Sequence, residues 1–295
     1  MAGNKKLIVL VAPNGGNAVD REGAKVPITP EEIANEAALC REAGAAVVHI
    51  HARNSETKEA TGDPKVFGDI ITRIRAKCGD MLIQTTGGIG IKHDQTRPTD
   101  EERLGVLSIQ PQQDLATIPL GTWDFGRPIK PYKALTFPNT PSFIRKGIAA
   151  MIAKKMPFEM EIADIGFINN AVRYAEEGLF DRNASYFWCD LVMGFGAMPA
   201  NARHMVFAQA EIQRNFPNAM LQVVATEKDQ FPMCVLAASL GFDIVRLGFE
   251  DNIYLPDGRP ARHNHELIAA MVKIAQDLGR EIATAQDARN MFGIN

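Results

Sequence analysis

The chain has 295 residues, 46% of them hydrophobic, and a formal net charge of −3. This length and apolar content are enough for a substantial buried core, in one large α/β domain or two smaller ones. The pI is near 6.1, and the cationic clusters are only pairs such as Lys5-Lys6. Because no basic stripe is present, we expect no nucleic-acid partner.

From the sequence we expect neither a membrane span nor an export signal. No stretch approaches the roughly 18 consecutive apolar residues of a membrane helix. The apolar run at residues 7–12 leads straight into Pro13 without a small-residue cleavage pattern. The cysteines lie far apart, without a C-x-x-C pair, at positions 40, 78, 189 and 234. We therefore expect a cytoplasmic protein with reduced thiols and no membrane partner.

Short apolar runs alternate along the chain with stretches of helical periodicity. The runs predict strands at residues 7–12, 46–51, 81–86, 114–120, 158–163, 186–193, 221–226 and 243–249. The helical patterns fall at residues 30–43, 66–77, 100–107, 141–156, 166–178, 200–215, 231–240 and 263–278. Eight such units favour a (β/α)8 TIM barrel over an open doubly wound sheet. With no internal repeat or linker, a single domain over residues 1–295 is the simplest organisation.

Two segments fall outside this alternation. Residues 121–140, rich in Pro, Gly and Thr, lack periodicity, so we expect a long loop after the fourth strand whose tip could cover the site. The last twenty residues predict an extra helix that ends at Phe292-Gly293.

The second predicted strand ends in two histidines one residue apart, His49 and His51. Alternate residues of a strand point to one face, so the two imidazoles project together from Cβ atoms roughly 6.6 Å apart. Nitrogens of both rings can then approach a shared zinc ion at about 2.0–2.1 Å. Taken alone, such a pair is more often hydrogen-bonded than metal-bound, so a metal interpretation needs a further ligand.

The segment at residues 242–252 offers that ligand. Read as a strand, it places Arg246, Gly248 and Glu250 on one face, and glycine there would permit close approach of a bound group. Taken alone, Glu250 reads as part of a solvated turn. In a (β/α)8 barrel, however, the carboxyl ends of the second and eighth strands share the rim that carries the active site. The combination predicts a metal centre of His49, His51 and Glu250.

Two further polar groups on this rim each allow two interpretations. After the third strand, Thr85 and Thr86 precede two glycines, so hydroxyl and backbone N–H groups could cradle an oxyanion, or simply form a polar turn. On the fifth strand, Glu159 and Glu161 share a face and need a partner. Arg246 is the available cation, and a structural ion pair is at least as well supported as a catalytic role.

The histidines at positions 263 and 265 receive a structural interpretation. Asn264 between them predicts the N-cap of a helix over residues 265–278.

Several segments in order resemble the β-keto acid cleavage enzymes, whose founding member acts on 3-keto-5-aminohexanoate. Each segment is short, but together they span nearly the whole chain. They are Ala12-Pro13-Asn14-Gly15-Gly16, Pro27-Ile28-Thr29-Pro30-Glu31-Glu32, Ala43-Gly44-Ala45 with His49-Ile50-His51, Thr86-Gly87-Gly88, Arg246-x-Gly248-x-Glu250-Asp251-Asn252 and Ala285-x-x-Ala288-Arg289.

The resemblance implies a zinc-dependent barrel that converts a β-keto acid and acetyl-CoA into acetoacetate and a new acyl-CoA. It also implies a homo-oligomer, with a tetramer suspected. By position, the metal ligands would again be the two histidines and Glu250, and Asp251 would be the general base, oriented or tuned by Arg246. Substrate-binding positions would include Thr85, where the family usually has serine, and Thr117, together with Thr86 and Gly88 of the glycine turn.

Two departures from the family pattern concern the substrate. Asn17 stands where the founding enzyme has a glutamate that meets the substrate's ammonium group, so we expect a neutral or anionic side group. The stretch around Lys228, at residues 226–229, replaces a more usual Gly-Arg and could alter contacts with substrate or CoA.

Three other functions remain open. A metal-dependent lyase or hydrolase could break a C–C bond without CoA. A barrel amidohydrolase also uses His-x-His but recruits histidines from the fifth and sixth strands, and none occurs at residues 158–163 or 186–193. A ligand-binding barrel with a vestigial metal site would bind without turnover.

Overall fold

The structure is a computed structural model that describes residues 5–16, 23–92, 94–128, 134–194 and 196–294. Its strands are β1 (Ile8–Val11), β2 (Val47–Ile50), β3 (Leu82–Thr85), β4 (Leu115–Pro119), β5 (Trp123–Pro128), β6 (Ala134–Phe137), β7 (Phe158–Ile162), β8 (Phe187–Met193), β9 (Met220–Ala225) and β10 (Ile244–Leu247). Its helices are α1 (Pro30–Glu42), α2 (Pro64–Cys78), α3 (Asp100–Gly105), α4 (Pro141–Ala153), α5 (Ile165–Glu176), α6 (Ala202–Asn215), α7 (Gln230–Leu240), α8 (Asn264–Asp277) and α9 (Ala285–Phe292).

Eight parallel strands close into a barrel in the order β1-β10-β9-β8-β7-β4-β3-β2. The predicted (β/α)8 TIM barrel is therefore confirmed. In this order β1 lies between β2 and β10, with Leu10 paired to Val47 on one side and to Arg246 on the other. Segments two hundred residues apart in sequence thus become next-but-one neighbours on the rim.

The barrel strands contribute side chains to two separate cores, one between the strands and the helices and one inside the barrel. One side chain of each alternating pair packs between strands and helices, and the other points into the barrel. The interior is apolar at its lower end, where Trp188 lies with its ring centroid 4.7 Å from that of Phe292 on α9. The extra helix predicted at the end of the chain is present as α9, and it covers this end of the barrel.

The segment after β4 contains more structure than its sequence indicated. Instead of a loop throughout, β5 and β6 form an antiparallel two-stranded sheet, with Trp123 paired to Phe137. Its base is tied to the barrel by buried Arg103, which donates to the carbonyl oxygens of Gly87 at 3.0 Å and Pro138 at 3.1 Å. The sequence did not predict β5 and β6 because Gly and Pro, which are frequent in residues 121–140, have low strand propensity.

The start of α8 differs from the prediction by one residue. His263, not Asn264, is the N-cap, and the helix begins at Asn264. The Asn264 side chain is used elsewhere, because its Oδ1 accepts from the backbone N–H of Phe249 at 2.8 Å.

In the part of the chain that the structure describes, no helix is both long and apolar enough to cross a membrane.

Candidate active site and metal centre

Three potential metal ligands converge at the carboxyl ends of β2 and β10. Nε2 of His51 lies 3.3 Å from Oε1 of Glu250, and Nε2 of His49 lies 3.8 Å from Oε2 of the same carboxylate. One ligand atom from each side chain falls within 4.8 Å of the others. Two ligands of a tetrahedral zinc ion, each bonded at about 2.0–2.1 Å, lie about 3.3 Å apart. The donor set and its spacing therefore fit a zinc-sized ion.

Glu250 reaches this position from a turn rather than from a strand. The strand predicted at residues 243–249, and the strand-like face that included Glu250, do not extend beyond Leu247, because β10 ends there and Gly248 has φ of 144°. A Cβ on Gly248 would lie 2.1 Å from the carbonyl oxygen of Ala12. The glycine therefore accommodates the backbone after β1, not a ligand, and the turn carries Glu250 across β1 towards the histidines.

A chain of buried hydrogen bonds fixes the orientation of His49. Its Nδ1 lies 2.8 Å from Oε1 of Gln84, whose Nε2 donates to Oε2 of Glu159 at 2.9 Å. Because the amide nitrogen is used by Glu159, the amide oxygen faces the imidazole and accepts from Nδ1–H. The lone pair of His49 is then on Nε2, the atom that faces Glu250, which is the arrangement of a metal-ligating histidine.

The protonation states suit a cation site. Burial, helped by the charge of Arg246, lowers the pKa of His49 to about 3, so the imidazole is neutral at physiological pH. Burial alone would raise the pKa of Glu250, but the charge of Arg246 and the contact with His51 hold it well below its ordinary value. The cluster therefore presents a neutral imidazole nitrogen from His49 beside an ionised carboxylate from Glu250.

Arg246 connects Glu250 to its neighbour Asp251. Its guanidinium lies 2.8 Å from Oε1 of Glu250 and donates through Nε to Oδ2 of Asp251 at 3.0 Å. Burial opposes its charge, yet Asp251 and Glu250 keep the pKa of Arg246 well above its ordinary value. The prediction that Arg246 pairs with Glu159 and Glu161 is replaced by these contacts to the two adjacent carboxylates.

Glu159 is held by amides instead. Its Oε2 accepts from Nε2 of Gln84 and from Nε2 of Gln222, each at 2.9 Å. Burial raises the pKa of Glu159, and burial together with Glu159 raises the pKa of Glu161 to about 8. Glu159 is therefore a support behind His49 and lies outside the ligand cluster.

In the turn formed by Thr86, Gly87 and Gly88, threonine side chains accept the hydrogen bonds of two backbone N–H groups. The Gly88 N–H donates to Oγ1 of Thr86 at 2.8 Å, and the Gly87 N–H donates to Oγ1 of Thr117 at 3.1 Å. The backbone N–H groups expected to cradle an oxyanion are thus engaged by side chains, which agrees with the polar-turn alternative. Thr85 is fully buried, and its Oγ1 has no hydrogen-bond partner among the residues that the structure describes.

The turn after β1 packs directly under the ligands. A Cβ on Gly15 would lie 2.7 Å from Cγ of Glu250, and one on Gly16 would lie 2.8 Å from Nδ1 of His51. Asn14 donates through Nδ2 to the carbonyl oxygen of His51 at 3.0 Å. Asn17, the predicted specificity position, lies outside the residues that the structure describes.

Comparison with known proteins identifies the family to which this chain belongs. The family profile described as beta-keto acid cleavage enzyme matches residues 6–294. The chain belongs to the β-keto acid cleavage enzymes. The resemblance seen in the sequence is confirmed, and the chain is an acyltransferase of that family rather than a non-catalytic barrel.

Individual relatives agree with the assignment. A 3-keto-5-aminohexanoate cleavage enzyme from Fusobacterium nucleatum is 35% identical over 292 residues, 98% of either chain. A 3-oxoadipate:acetyl-CoA acetyltransferase from Cupriavidus necator is 29% identical over 289 residues, 97% of this chain and 94% of the relative. A solved ternary complex of ObcA with a C4-CoA adduct and oxalate has a TM-score of 0.76 at 18% identity, over 91% of this chain and 67% of that one. This last likeness shows the fold alone.

The sequence analysis missed the buried amides that support the candidate metal ligands of this β-keto acid cleavage enzyme. Gln84 and Gln222 are single amides inside otherwise apolar strand runs, both 0% exposed. A buried amide in such a run needs buried partners, so this pattern could have indicated an interior polar network.

The loop after β9 contacts the backbone of the candidate base. Glu227 adopts φ of 56°, and its N–H donates to the carbonyl oxygen of Asp251 at 2.8 Å. Lys228 beside it is exposed. The departure from the family pattern at residues 226–229 is therefore adjacent to the turn that carries the candidate base, Asp251.

Proposed function

We propose that the protein is a zinc-dependent enzyme that condenses a β-keto acid with acetyl-CoA to give acetoacetate and a new acyl-CoA. His49, His51 and Glu250 hold the ion, Asp251 is the general base, and Arg246 orients it. The observation that carries the proposal is the convergence of three ligand atoms within 4.8 Å, in a member of a family that cleaves β-keto acids.

A divalent ion at this centre would polarise the ketone of a β-keto acid and offset the charge that develops when the adjacent carbon loses a proton. Zinc is the ion proposed, because two imidazoles and one carboxylate form a ligand set used in catalytic zinc sites, with further positions left for substrate. The neutral state of His49 and the ionised state of Glu250 support this choice.

Asp251 takes a proton from the carbon between the ketone and the carboxylate of the substrate. The hydrogen bond from Arg246 Nε at 3.0 Å fixes the orientation of this base, and the same guanidinium reaches Glu250 at 2.8 Å. Base and metal ligand are thus held by one cation. Arg246 also offsets negative charge that accumulates during the reaction.

The remaining steps exchange acyl groups between two thioesters. The carbanion attacks the thioester carbonyl of acetyl-CoA, and the C–S bond breaks to release the CoA thiolate. The thiolate then attacks the original ketone, and the C–C bond breaks to give the new acyl-CoA. The acetoacetate carbanion left behind regains its proton from Asp251, so protons balance over the cycle.

The proposed substrate class rests on the uncharged side chain of Asn17. Asparagine there cannot neutralise a cationic side group, so the proposed substrates are β-keto acids with a neutral or anionic group. Thr85, Thr86 and Thr117 are the proposed substrate-binding hydroxyl side chains, and the Oγ1 atoms of Thr86 and Thr117 also accept backbone N–H groups. Gly88 completes the proposed substrate-binding turn.

The proposal extends to the assembly and its setting. Val206 and Phe207 are adjacent on α6 and 48% and 52% exposed, which supports a homo-oligomer, with a tetramer proposed, of single-domain chains. The four cysteines are buried and free, which supports work in the reducing cytoplasm.

The experiment is an acetyl-CoA-dependent screen of β-keto acids that reads acetoacetate formation, with zinc-loaded enzyme and with Glu250→Gln. We expect acetoacetate from uncharged or anionic short β-keto acids, and none from Glu250→Gln. A strong preference for 3-keto-5-aminohexanoate would contradict the substrate class but leave the reaction intact.

Omission of acetyl-CoA separates the proposal from the CoA-independent lyase or hydrolase. The proposed reaction stops without it, because no thioester is available to accept the carbanion. Continued cleavage of the β-keto acid in its absence would overturn the proposal.

A further inference from the structure

A second group of metal-ligating side chains lies between α1 and α8, apart from the active-site cluster. Glu36 from the middle of α1 meets His263 and His265 at the start of α8, with one ligand atom from each within 4.8 Å of the others. The two histidines received only a helix-capping interpretation from the sequence. In the structure they form a two-imidazole, one-carboxylate set like the one at the catalytic centre.

The contacts within this group leave one ring nitrogen unsatisfied. Nδ1 of His263 lies 3.1 Å from Oε2 of Glu36. The ring centroids of His263 and His265 are 5.5 Å apart, with planes inclined by 30°. Nδ1 of His265 is buried and has no hydrogen-bond partner among the residues that the structure describes. A buried ring nitrogen without a partner is unfavourable, and a bound ion that draws the imidazole into coordination would relieve this.

Capping of helix α8 uses only one of the two carboxylate oxygens of Glu36. Oε1 of Glu36 accepts from the backbone N–H of Asn264 and, at 3.2 Å, from its Nδ2. These bonds orient the carboxylate so that Oε2 faces His263. The separation of 3.1 Å between Oε2 and Nδ1 is close to the ligand spacing of about 3.3 Å that a tetrahedral zinc ion requires.

The burial of Glu36 and the partial exposure of His263 suit a site that takes up an ion from solution. The Glu36 side chain is 6% exposed and that of His263 is 29% exposed. The carboxylate is therefore shielded, while water can complete the coordination from the histidine side.

We propose that Glu36, His263 and His265 form a second divalent-metal site, selective for ions such as zinc that accept imidazole and carboxylate ligands. The ion joins α1 to the first turn of α8. Asn264, fixed by the same carboxylate, bonds the N–H of Phe249 at 2.8 Å and the carbonyl oxygen of Pro13 at 3.2 Å. The site is thus tied to the residues that precede Glu250 and Asn14.

This site binds more weakly than the catalytic one. One carboxylate oxygen is already committed to Asn264, and His263 must give up the contact of its Nδ1 with Glu36 before that nitrogen can coordinate. Dialysis would strip such an ion, so the test is an equilibrium titration.

The experiment titrates metal-free full-length protein with Zn²⁺ against a chromophoric chelator and counts ions per chain. We expect two ions for the unmodified protein, one for His265→Gln and two for the control His204→Gln. His204 is a histidine at the start of α6 whose Nδ1 contacts Asn201 and which belongs to neither cluster. One ion for the unmodified protein, or two for His265→Gln, would overturn the proposal.

A second readout does not depend on the catalytic centre. In His49→Gln/His51→Gln, which lacks the first site, Zn²⁺ should still raise Tm because an ion that binds only the folded state stabilises it. Addition of His263→Gln or His265→Gln should abolish that rise, with circular dichroism to verify folding of each variant. No rise in the double variant would also contradict the second site.

Discussion

Nδ1 of His49 lies 2.8 Å from Oε1 of Gln84, and this contact determines which imidazole nitrogen can bind a metal. Since Gln84 is itself held by Glu159, the orientation of a residue at the mouth of the barrel depends on a carboxyl group deeper inside. Removal of a residue that hydrogen-bonds a metal-ligating histidine commonly lowers metal affinity about 10–100-fold.

Replacement of Gln84 should weaken zinc binding without removing a ligand. Gln84→Met keeps the side-chain length but removes the acceptor for His49, so we expect Zn²⁺ affinity at the catalytic site to fall about 10–100-fold. Chelator competition measures this. The matched control is Gln222→Met, which removes the other amide on Glu159 but does not touch His49. Equal losses in the two variants would contradict a specific role for the His49 contact.

Asp251→Asn should separate chemistry from metal binding. The amide cannot accept the substrate proton, so we expect kcat to fall about 10²–10⁴-fold, while zinc content stays that of the unmodified enzyme. Glu250→Gln is the comparison, since there zinc and activity should be lost together. A variant with asparagine at position 251 that retains most of its activity would require another base.

Gly15 should be intolerant of a methyl group for a reason beyond its backbone. Its φ is +63°, and an added Cβ would lie 2.7 Å from Cγ of Glu250. Gly15→Ala should therefore lower zinc affinity and activity. Gly23→Ala is the control, because Gly23 has φ of +80° but nothing within 4 Å of an added Cβ. It should cost about 1 kcal/mol of stability and leave activity unchanged; equal effects on activity would contradict the contact with Glu250.

The metal-free protein should lose stability in acid through His49. Its pKa is about 3 in the folded chain and about 6.5 in the unfolded chain. Between these values the unfolded state binds more protons, so stability falls as pH falls from 6.5 towards 3, by at most about 1.4 kcal/mol per pH unit.

His49→Gln isolates this contribution because glutamine does not titrate. Urea unfolding without metal, at about pH 7 and about pH 5, should show the unmodified protein losing up to about 2 kcal/mol relative to the variant. Parallel losses in the two proteins would mean that His49 is not kept neutral by burial.

The fold and the convergence of His49, His51 and Glu250 could be predicted from the sequence because both depend on local periodicity. Alternating apolar runs define the strands, and in the closed barrel only β1 separates the end of β2 from the end of β10. The turn at Gly248 was not predictable in this way, since a glycine in an apolar run is compatible with a strand, a bulge or a turn.

The supports and the second cluster could not be predicted for a different reason. Gln84 bonds Glu159 across 75 positions, and Glu36 bonds His263 across 227. Such pairs depend on how the strands and helices pack, which side-chain periodicity does not contain.

The central claim is that one ion is shared by His49, His51 and Glu250, and a crystal structure of the zinc-loaded enzyme with anomalous data at the zinc edge tests it most directly. We predict an anomalous peak about 2.0–2.2 Å from Nε2 of both histidines and from a Glu250 oxygen, with a further coordination position open to the barrel mouth. The absence of a peak between these three side chains in zinc-loaded crystals would contradict the account.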